Sequence, residues 1–277
     1  MDMFEHGEMI NQQEAERRRK RDEDYEAYKK AGRIWGQMPR EWLKRITIPR
    51  LDKAIIEEYK KYPDLTSTIS DILDSYGILG TVSASHLKPL IPGKRIVGQA
   101  LTIRNIPERK TPTQGYIDKS FIKMSTRDIY PIGEPGDVLV TDFRGNLDVS
   151  NMGGMSCKIA KERGFSGSIA YGVVRDADMI RDMDYPVWSC GTTPKTGKFR
   201  LQAIEMNGPV VVHDILVMPG DLIAADGSGV CAIPFELAES VLKKLVEISN
   251  SEDIMREMIA DKRSMDELRP LVRKRYK

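Results

Sequence analysis

Gly153-Gly154-Met155-Ser156-Cys157-Lys158-Ile159-Ala160-Lys161-Glu162-Arg163-Gly164 is followed three residues later by Ser168-Ile169-Ala170-Tyr171-Gly172-Val173-Val174-Arg175-Asp176. Residues 155–163 read as a helix with Met155, Ile159 and Ala160 on one face, and Gly164 supplies a C-terminal stop. Residues 168–174 form a short, mostly apolar run of strand type. A helix of about nine residues spans about 14 Å, and a strand of about seven spans about 23 Å. A strand returning along that helix brings its carboxyl end to the helix amino end. Arg175 and Asp176 then face the free backbone N–H groups that follow Gly153 and Gly154.

That geometry suits a small anionic oxo acid. A helix amino terminus offers unpaired N–H donors and a partial positive charge to a carboxylate. Glycine lets a ligand approach the backbone closely. Arg175 can grip a carboxylate or enolate oxygen with a planar fork of donors. Asp176 is the hard oxygen ligand preferred by Mg²⁺, an ion that keeps several waters and takes one or two protein carboxylates. The same residues also read as a surface Arg-Asp pair at a strand end, a common dipeptide.

Composition narrows the field. The chain has 277 residues, 30% charged and 40% hydrophobic, ordinary for a globular protein. A formal net charge of +2 gives no general electrostatic case for nucleic acid or membrane. No apolar run approaches the roughly 20 residues of a membrane span, and the charged N-terminus lacks the apolar core of a secretory signal. A cytoplasmic setting is expected. Cys157, Cys190 and Cys231 show no metal-ligand spacing or disulfide framework, and His6, His86 and His213 are too dispersed for a histidine metal site.

Residues 1–50 read as an N-terminal helical extension. The basic run at residues 17–21 is followed at once by Asp22, Glu23 and Asp24, which favours a solvated helix with internal ion pairs over a nucleic-acid patch. Trp35, Trp42 and Ile46 predict that residues 32–47 dock on the main domain. Within residues 51–250, helices are expected over 51–61 and 66–75. Strands are expected over 95–104, 137–143, 186–189, 209–213, 221–225 and 230–233, with a short helix after Asp176. Asp142, Arg144 and Asp148 are expected in a loop before the glycine pair, where the two acids could support the site or simply be solvated. Asp178 reads as a helix-capping or supporting acid, Lys195 as a solvated charge, and Asp226-Gly-Ser-Gly as a turn. Pro234 opens an amphipathic helix bearing Leu237, Val241, Leu242 and Leu245. Residues 251–277 read as a charged helical tail interrupted near Pro270. Many short strands mixed with helices, without a regular βαβ repeat, indicate an α+β fold.

The spacing Gly154-x20-Arg175-Asp176 resembles the signature of the RraA-like family, which holds class II 4-hydroxy-4-methyl-2-oxoglutarate/4-carboxy-4-hydroxy-2-oxoadipate aldolases and the regulator of ribonuclease activity A. The likeness extends over roughly residues 64–248. It includes Thr68-Ile-Ser-Asp-Ile-Leu-Asp-Ser-Tyr-Gly77, Val97-Gly-Gln-Ala-Leu-Thr102, Pro135-Gly-Asp-Val-Leu-Val140, Tyr185-Pro-Val-Trp-Ser-Cys-Gly-Thr-Thr-Pro194 and Pro219-Gly-Asp-Leu-Ile-Ala-Ala-Asp-Gly-Ser-Gly-Val230. The pieces are specific as a set.

The resemblance implies a β/β/α swivelling-type layered domain, an αββα sandwich, to which N-terminal and C-terminal helices are added. It implies homotrimers or homohexamers with sites near subunit interfaces. It also implies a lyase dependent on Mg²⁺, Mn²⁺ or another divalent cation, acting on a small 2-oxo acid such as oxaloacetate through a pyruvate enolate. Arg175 and Asp176 would be catalytic, with Asp176 also the metal ligand. Gly153, Gly154, Met155, Ser156 and Arg175 would bind substrate. The alternatives are a non-catalytic RNase-regulator-like protein, or a related lyase or hydratase on another oxo acid. Two departures stand out. The family's aldolases tend to carry an acidic residue where this chain has Gly154, and residues 105–130 are longer and more charged than in the compact family, which would reshape the substrate pocket.

Overall fold

The structure, a computed structural model, describes residues 3–35, 39–124 and 126–274. Residues 1–2 and 36–38 of the expected extension, residue 125 and tail residues 275–277 lie outside them.

The chain opens with α1 (Met3–Lys30), then α2 (Lys53–Tyr59) and α3 (Leu65–Ser75). Two short strands, β1 (Thr81–Ser83) and β2 (Lys88–Pro89), precede the long β3 (Ile96–Pro107) and the short α4 (Pro112–Ile117). The centre is β4 (Val138–Met152), α5 (Gly154–Glu162), β5 (Gly167–Val174), α6 (Ala177–Asp182) and β6 (Val187–Thr192). Then come β7 (Leu201–Met206), β8 (Val210–Val212), β9 (Ile215–Val217), β10 (Leu222–Ala225), β11 (Gly229–Ile233), α7 (Ala238–Ala260) and α8 (Met265–Lys274).

A nine-stranded sheet runs in the order β1-β11-β10-β3-β4-β5-β6-β2, with β7 also paired to β3, while β8 and β9 form a separate hairpin. Strands β3 to β6 are mutually parallel, and β10, β11 and β1 join antiparallel. The protein is therefore a mixed α/β fold. The expectation of no regular βαβ repeat gives way at the centre, where β4-α5-β5-α6-β6 is two such units in succession.

Side-chain alternation along the strands divides the core. On β4, Leu139 packs with α5 and α6 residues Cys157, Ala160 and Ile180, while Val138 and Val140 join a second cluster with Ile223 and Val230. On β10 and β11, Leu222, Ala224, Cys231 and Ile233 point the other way, against Tyr59, Ile69, Leu73, Val241 and Leu245 of α2, α3 and α7.

Several expectations change. Strand β4 continues to Met152 through three register shifts, so Asp142, Arg144 and Asp148 lie on an irregular strand rather than in a loop. Strand β7, which the sequence reading passed over, buries Leu201, Ala203 and Glu205 on one side. Helix α7 runs unbroken across residue 250, and the interruption falls at residues 261–264, where Lys262 takes a left-handed φ of 56°, while Pro270 lies within α8. The buried side of α5 carries Cys157 and Ala160, whereas Met155 is 60% exposed.

The N-terminal segment docks as expected through Leu43 and Ile46, both buried, and partly through Trp42, but Trp35 is exposed. Arg33 fixes the segment by donating from Nε to Pro131 O (2.7 Å) and from Nη2 to Ile132 O (2.9 Å) and Gly133 O (3.1 Å). The basic run of α1 is solvated, with Arg18–Glu14 and Arg19–Glu23 pairs one turn apart. Among the described residues, no helix is long and apolar enough to cross a membrane.

Candidate active site

Adjacent parallel strands joined by a helix leave a crevice at their carboxyl ends. Here β4 ends at Met152 and β5 at Val174, which are register partners, and the Arg175 N–H donates to Met152 O at 3.1 Å. Gly153 is the N-cap of α5, in an extended conformation (φ −146°, ψ −175°), with no side chain to cap the helix. The cap comes from the next strand end. Asp176 Oδ2 accepts the Gly154 N–H at 3.0 Å. This leaves the N–H groups of Met155 and Ser156, in the first turn, directed out of the helix end.

Gly153 lets Arg175 and Asp176 approach closely. A Cβ there would lie 2.7 Å from Asp176 Oδ2, 2.8 Å from Arg175 Cγ and 2.9 Å from Arg175 Nε. At Gly154 the space of a side chain is filled by the Met179 thioether. Packing from α6 thus occupies the place of a side chain at position 154.

Asp176 is the unusual residue. It takes left-handed backbone angles (φ 57°, ψ 42°) at the N-cap of α6, a conformation costly for a residue with a Cβ. Its side chain does not cap its own helix but reaches back to α5. Arg175 Nε lies 3.4 Å from the same Oδ2, and both side chains are about 40% exposed. Among the described residues Oδ1 has no hydrogen-bond partner.

Asp226 shows what a purely structural version of this device looks like. Its carboxylate caps α3 in the same long-range way, accepting from Thr66 N–H (3.0 Å) and Thr66 Oγ1 (2.6 Å), and it also accepts from Ser228 N–H (2.8 Å). Asp226 is buried and both of its oxygens are used. Asp176 is open and half used.

A cleft of about 240 Å³ lies over this junction, lined by Gly153, Met155, Ser156, Arg175 and Asp176 together with Met124, Thr126, Arg127, residues 150–152 and Thr196. Ser156 is held from beneath by a buried hydrogen bond between its Oγ and Tyr130 Oη (3.0 Å). Burial, with the nearby Asp176 charge, pushes the Cys157 thiol up to about 12, so it remains neutral under the cleft floor. Asp142 and Asp148 do not line the cleft. Asp142 accepts from Arg144 N–H (2.8 Å), and Asp148 pairs with Lys195. Asp178 is solvent-exposed and bonded to Arg181 at 2.8 Å. Asp226-Gly-Ser-Gly is a turn. The sequence reading singled out residues 105–130 without naming Met124, Thr126, Arg127 or Tyr130, since nothing in an irregular segment says which side chain turns inward.

The junction that brings the Arg-Asp pair to the glycine-led helix is the feature the resemblance rests on, and comparison with known proteins agrees. The RraA-like family model, described as Aldolase/RraA, matches residues 66–232. The chain belongs to the RraA-like family. Within or near it, the chain is 29% identical over 204 residues to protein DlpA of Legionella pneumophila, covering 74% of this chain and 32% of DlpA, so it spans about a third of that relative. It is 30% identical over 99 residues to a 4-hydroxy-4-methyl-2-oxoglutarate aldolase of Thermus thermophilus, covering 36% of this chain and 60% of that one. Among solved structures, an uncharacterized protein of Pseudomonas syringae pv. tomato superimposes with a TM-score of 0.67 at 27% identity, over 80% of this chain and 100% of that one.

A divalent ion is the cofactor the family implies, and the donor set can be tested against it. Among the described residues no group of three or more His, Cys, Asp or Glu side chains could hold a metal. Asp176 Oδ1 is a single unpaired hard oxygen beside an open cleft. That set suits no caged transition metal. It does fit an Mg²⁺ that keeps its waters and completes its shell with a bidentate substrate.

Proposed function

We propose that this protein is a divalent-metal-assisted lyase of the aldolase/decarboxylase type, acting on a 4-hydroxy-2-oxo acid or oxaloacetate. The observation that carries the reading is the half-used, half-exposed Asp176 carboxylate, held at the amino end of α5 with Arg175 beside it. The reading includes the swivelling-type layered domain at residues 51–250, flanked by the extension and the tail. It also includes self-association as a homotrimer or homohexamer and a cytoplasmic location.

Each residue has a distinct task. Met155 and Ser156 N–H groups bind the substrate carboxylate, favoured by the helix dipole. Gly153 keeps the floor bare so that the carboxylate can reach them. Arg175 directs its guanidinium at the oxygen where negative charge develops as the bond between C3 and C4 breaks, and such preorganised charge is a large part of catalysis. Asp176 Oδ1 would hold the ion, which when bound supplies Lewis-acid stabilisation of that same charge. Asp176 Oδ2 fixes the carboxylate by its bond to Gly154.

Enolisation can be tested without knowing the acyl portion. Methyl protons of pyruvate should exchange with D₂O in the presence of Mg²⁺ and the protein, as read by ¹H NMR, and exchange should vanish with EDTA or in Arg175→Ala. Exchange that is unaffected by both would contradict the reading. An RNase regulator needs neither Mg²⁺ nor Asp176, so regulation of an RNase that survives both EDTA and Asp176→Ala would favour that alternative.

A further inference from the structure

Arg127 has no role in the chemistry above, yet it borders the cleft. Its backbone is held on both sides. Thr126 is buried and donates its hydroxyl to Asn151 O at 2.9 Å, and Ile129 and Tyr130 are fully buried. Arg127 itself is exposed. It lines the 240 Å³ cleft and, with Met124, also lines a neighbouring groove of about 390 Å³ faced by Trp35, Ile122 and Ile159. Arg127 and Met124 are therefore the wall the two spaces share.

Charge makes the position informative. Arg175 and Asp176 offset one another within the cleft, and Asp128, beside Arg127 on the groove, has a partner of its own. Among the described residues nothing forms an ion pair or side-chain hydrogen bond with the Arg127 guanidinium. Among the described residues that line the cleft, Arg127 is thus the one uncompensated cation. The groove beyond it offers Trp35, Ile122 and Ile159 to methylene groups, alongside Asp128. A planar guanidinium on an anchored backbone is a carboxylate clamp.

We propose that Arg127 is the specificity-determining residue for the far end of the substrate. It pairs with a second carboxylate of a 2-oxo diacid whose oxo-acid end lies at Arg175 and the α5 amino terminus. This rests on the function proposed above.

The test is calorimetric titration with pyruvate and with 2-oxoglutarate, in Mg²⁺, of wild type, Arg127→Ala, Arg127→Lys and Arg175→Ala. Wild type should prefer the diacid. Arg127→Ala should weaken diacid binding by about 10- to 100-fold, the range of a charge-assisted contact, while pyruvate affinity stays within about twofold, which also shows an intact cleft. Arg127→Lys should keep part of the preference. A diacid no tighter than pyruvate in wild type overturns the inference, as does an Arg127→Ala variant that keeps the preference or loses both ligands equally. Pyruvate that fails to bind wild type, or binds Arg175→Ala equally well, instead removes the functional reading beneath it.

Discussion

The Gly154 N–H and the Asp176 carboxylate meet at 3.0 Å across 22 residues of sequence, so the acid at the end of one strand caps the helix that begins at the end of the previous one. The two oxygens are used unequally. Oδ2 holds the junction together, and Oδ1 has no hydrogen-bond partner among the described residues. Asp176→Asn keeps an oxygen for Gly154 and should unfold in urea within about 0.5 kcal/mol of wild type. Asp176→Ala removes the cap and leaves a Cβ in a left-handed conformation, and should cost about 1–2 kcal/mol. Equal stability of the two variants would show that the cap does not matter.

Gly153→Ala isolates the steric requirement. The backbone there is extended, so alanine brings no conformational strain, only a methyl group within 3 Å of Asp176 Oδ2 and Arg175. Displacing a catalytic pair by about 1 Å can lower turnover about 100-fold. We expect a loss of that order in kcat/KM, with a circular-dichroism melting curve close to wild type. An active Gly153→Ala protein would mean that Arg175 and Asp176 tolerate displacement.

Met179 should gate any attempt to restore an acidic residue at position 154. Gly154→Asp alone drives its Cβ into the Met179 thioether and should destabilise the fold by about 1–3 kcal/mol. Adding Met179→Ala opens the space, so the double variant should be more stable than the sum of the single changes. The comparison of denaturant midpoints is a double-mutant cycle, and strict additivity would deny the contact.

Asp221 gives a pH signature unrelated to the cleft. Burial raises its carboxyl to about 6, against the stabilising N–H bonds from Met218 and Phe235. The folded protein therefore holds this proton more tightly than the unfolded chain, whose aspartates titrate near about 3.9. Its contribution to stability is fully present below about 4 and is lost as pH rises towards 6. In Asp221→Asn that slope should disappear from the difference curve against wild type, on top of a constant penalty for the lost acceptor. An unchanged pH dependence between 4 and 6 would place the raised acid elsewhere.

The sequence displayed the central unit well because its signals are local. Gly164 stops α5, and Gly153-Gly154 start it. The strand run ends at Val174, just before Arg175, in both reading and structure. Strand β4 was misjudged after Phe143 because Arg144, Gly145 and Asn146 look like a turn. Arg144 and Gly145 do take left-handed φ values of 54° and 65°, but the strand resumes at Asn146 opposite Gly172 of β5. Asp176 was found, but its left-handed backbone and its bond to Gly154 depend on tertiary packing. Arg127 was invisible for a simpler reason. The role proposed for it rests on its having no partner among the described residues, and a sequence does not state which charges pair. Trp35 was expected to dock and is instead exposed on the groove, while Arg33, two residues earlier, holds the segment through three carbonyls.

The most direct test of the central claim is pyruvate release from oxaloacetate and from 4-hydroxy-4-methyl-2-oxoglutarate, measured with Mg²⁺ and with EDTA for wild type and Asp176→Asn. The account predicts turnover of at least one substrate by the wild type with Mg²⁺, abolished by EDTA and reduced at least about 100-fold in a variant that remains folded. Metal-independent turnover, or a fully active Asp176→Asn protein, would contradict it.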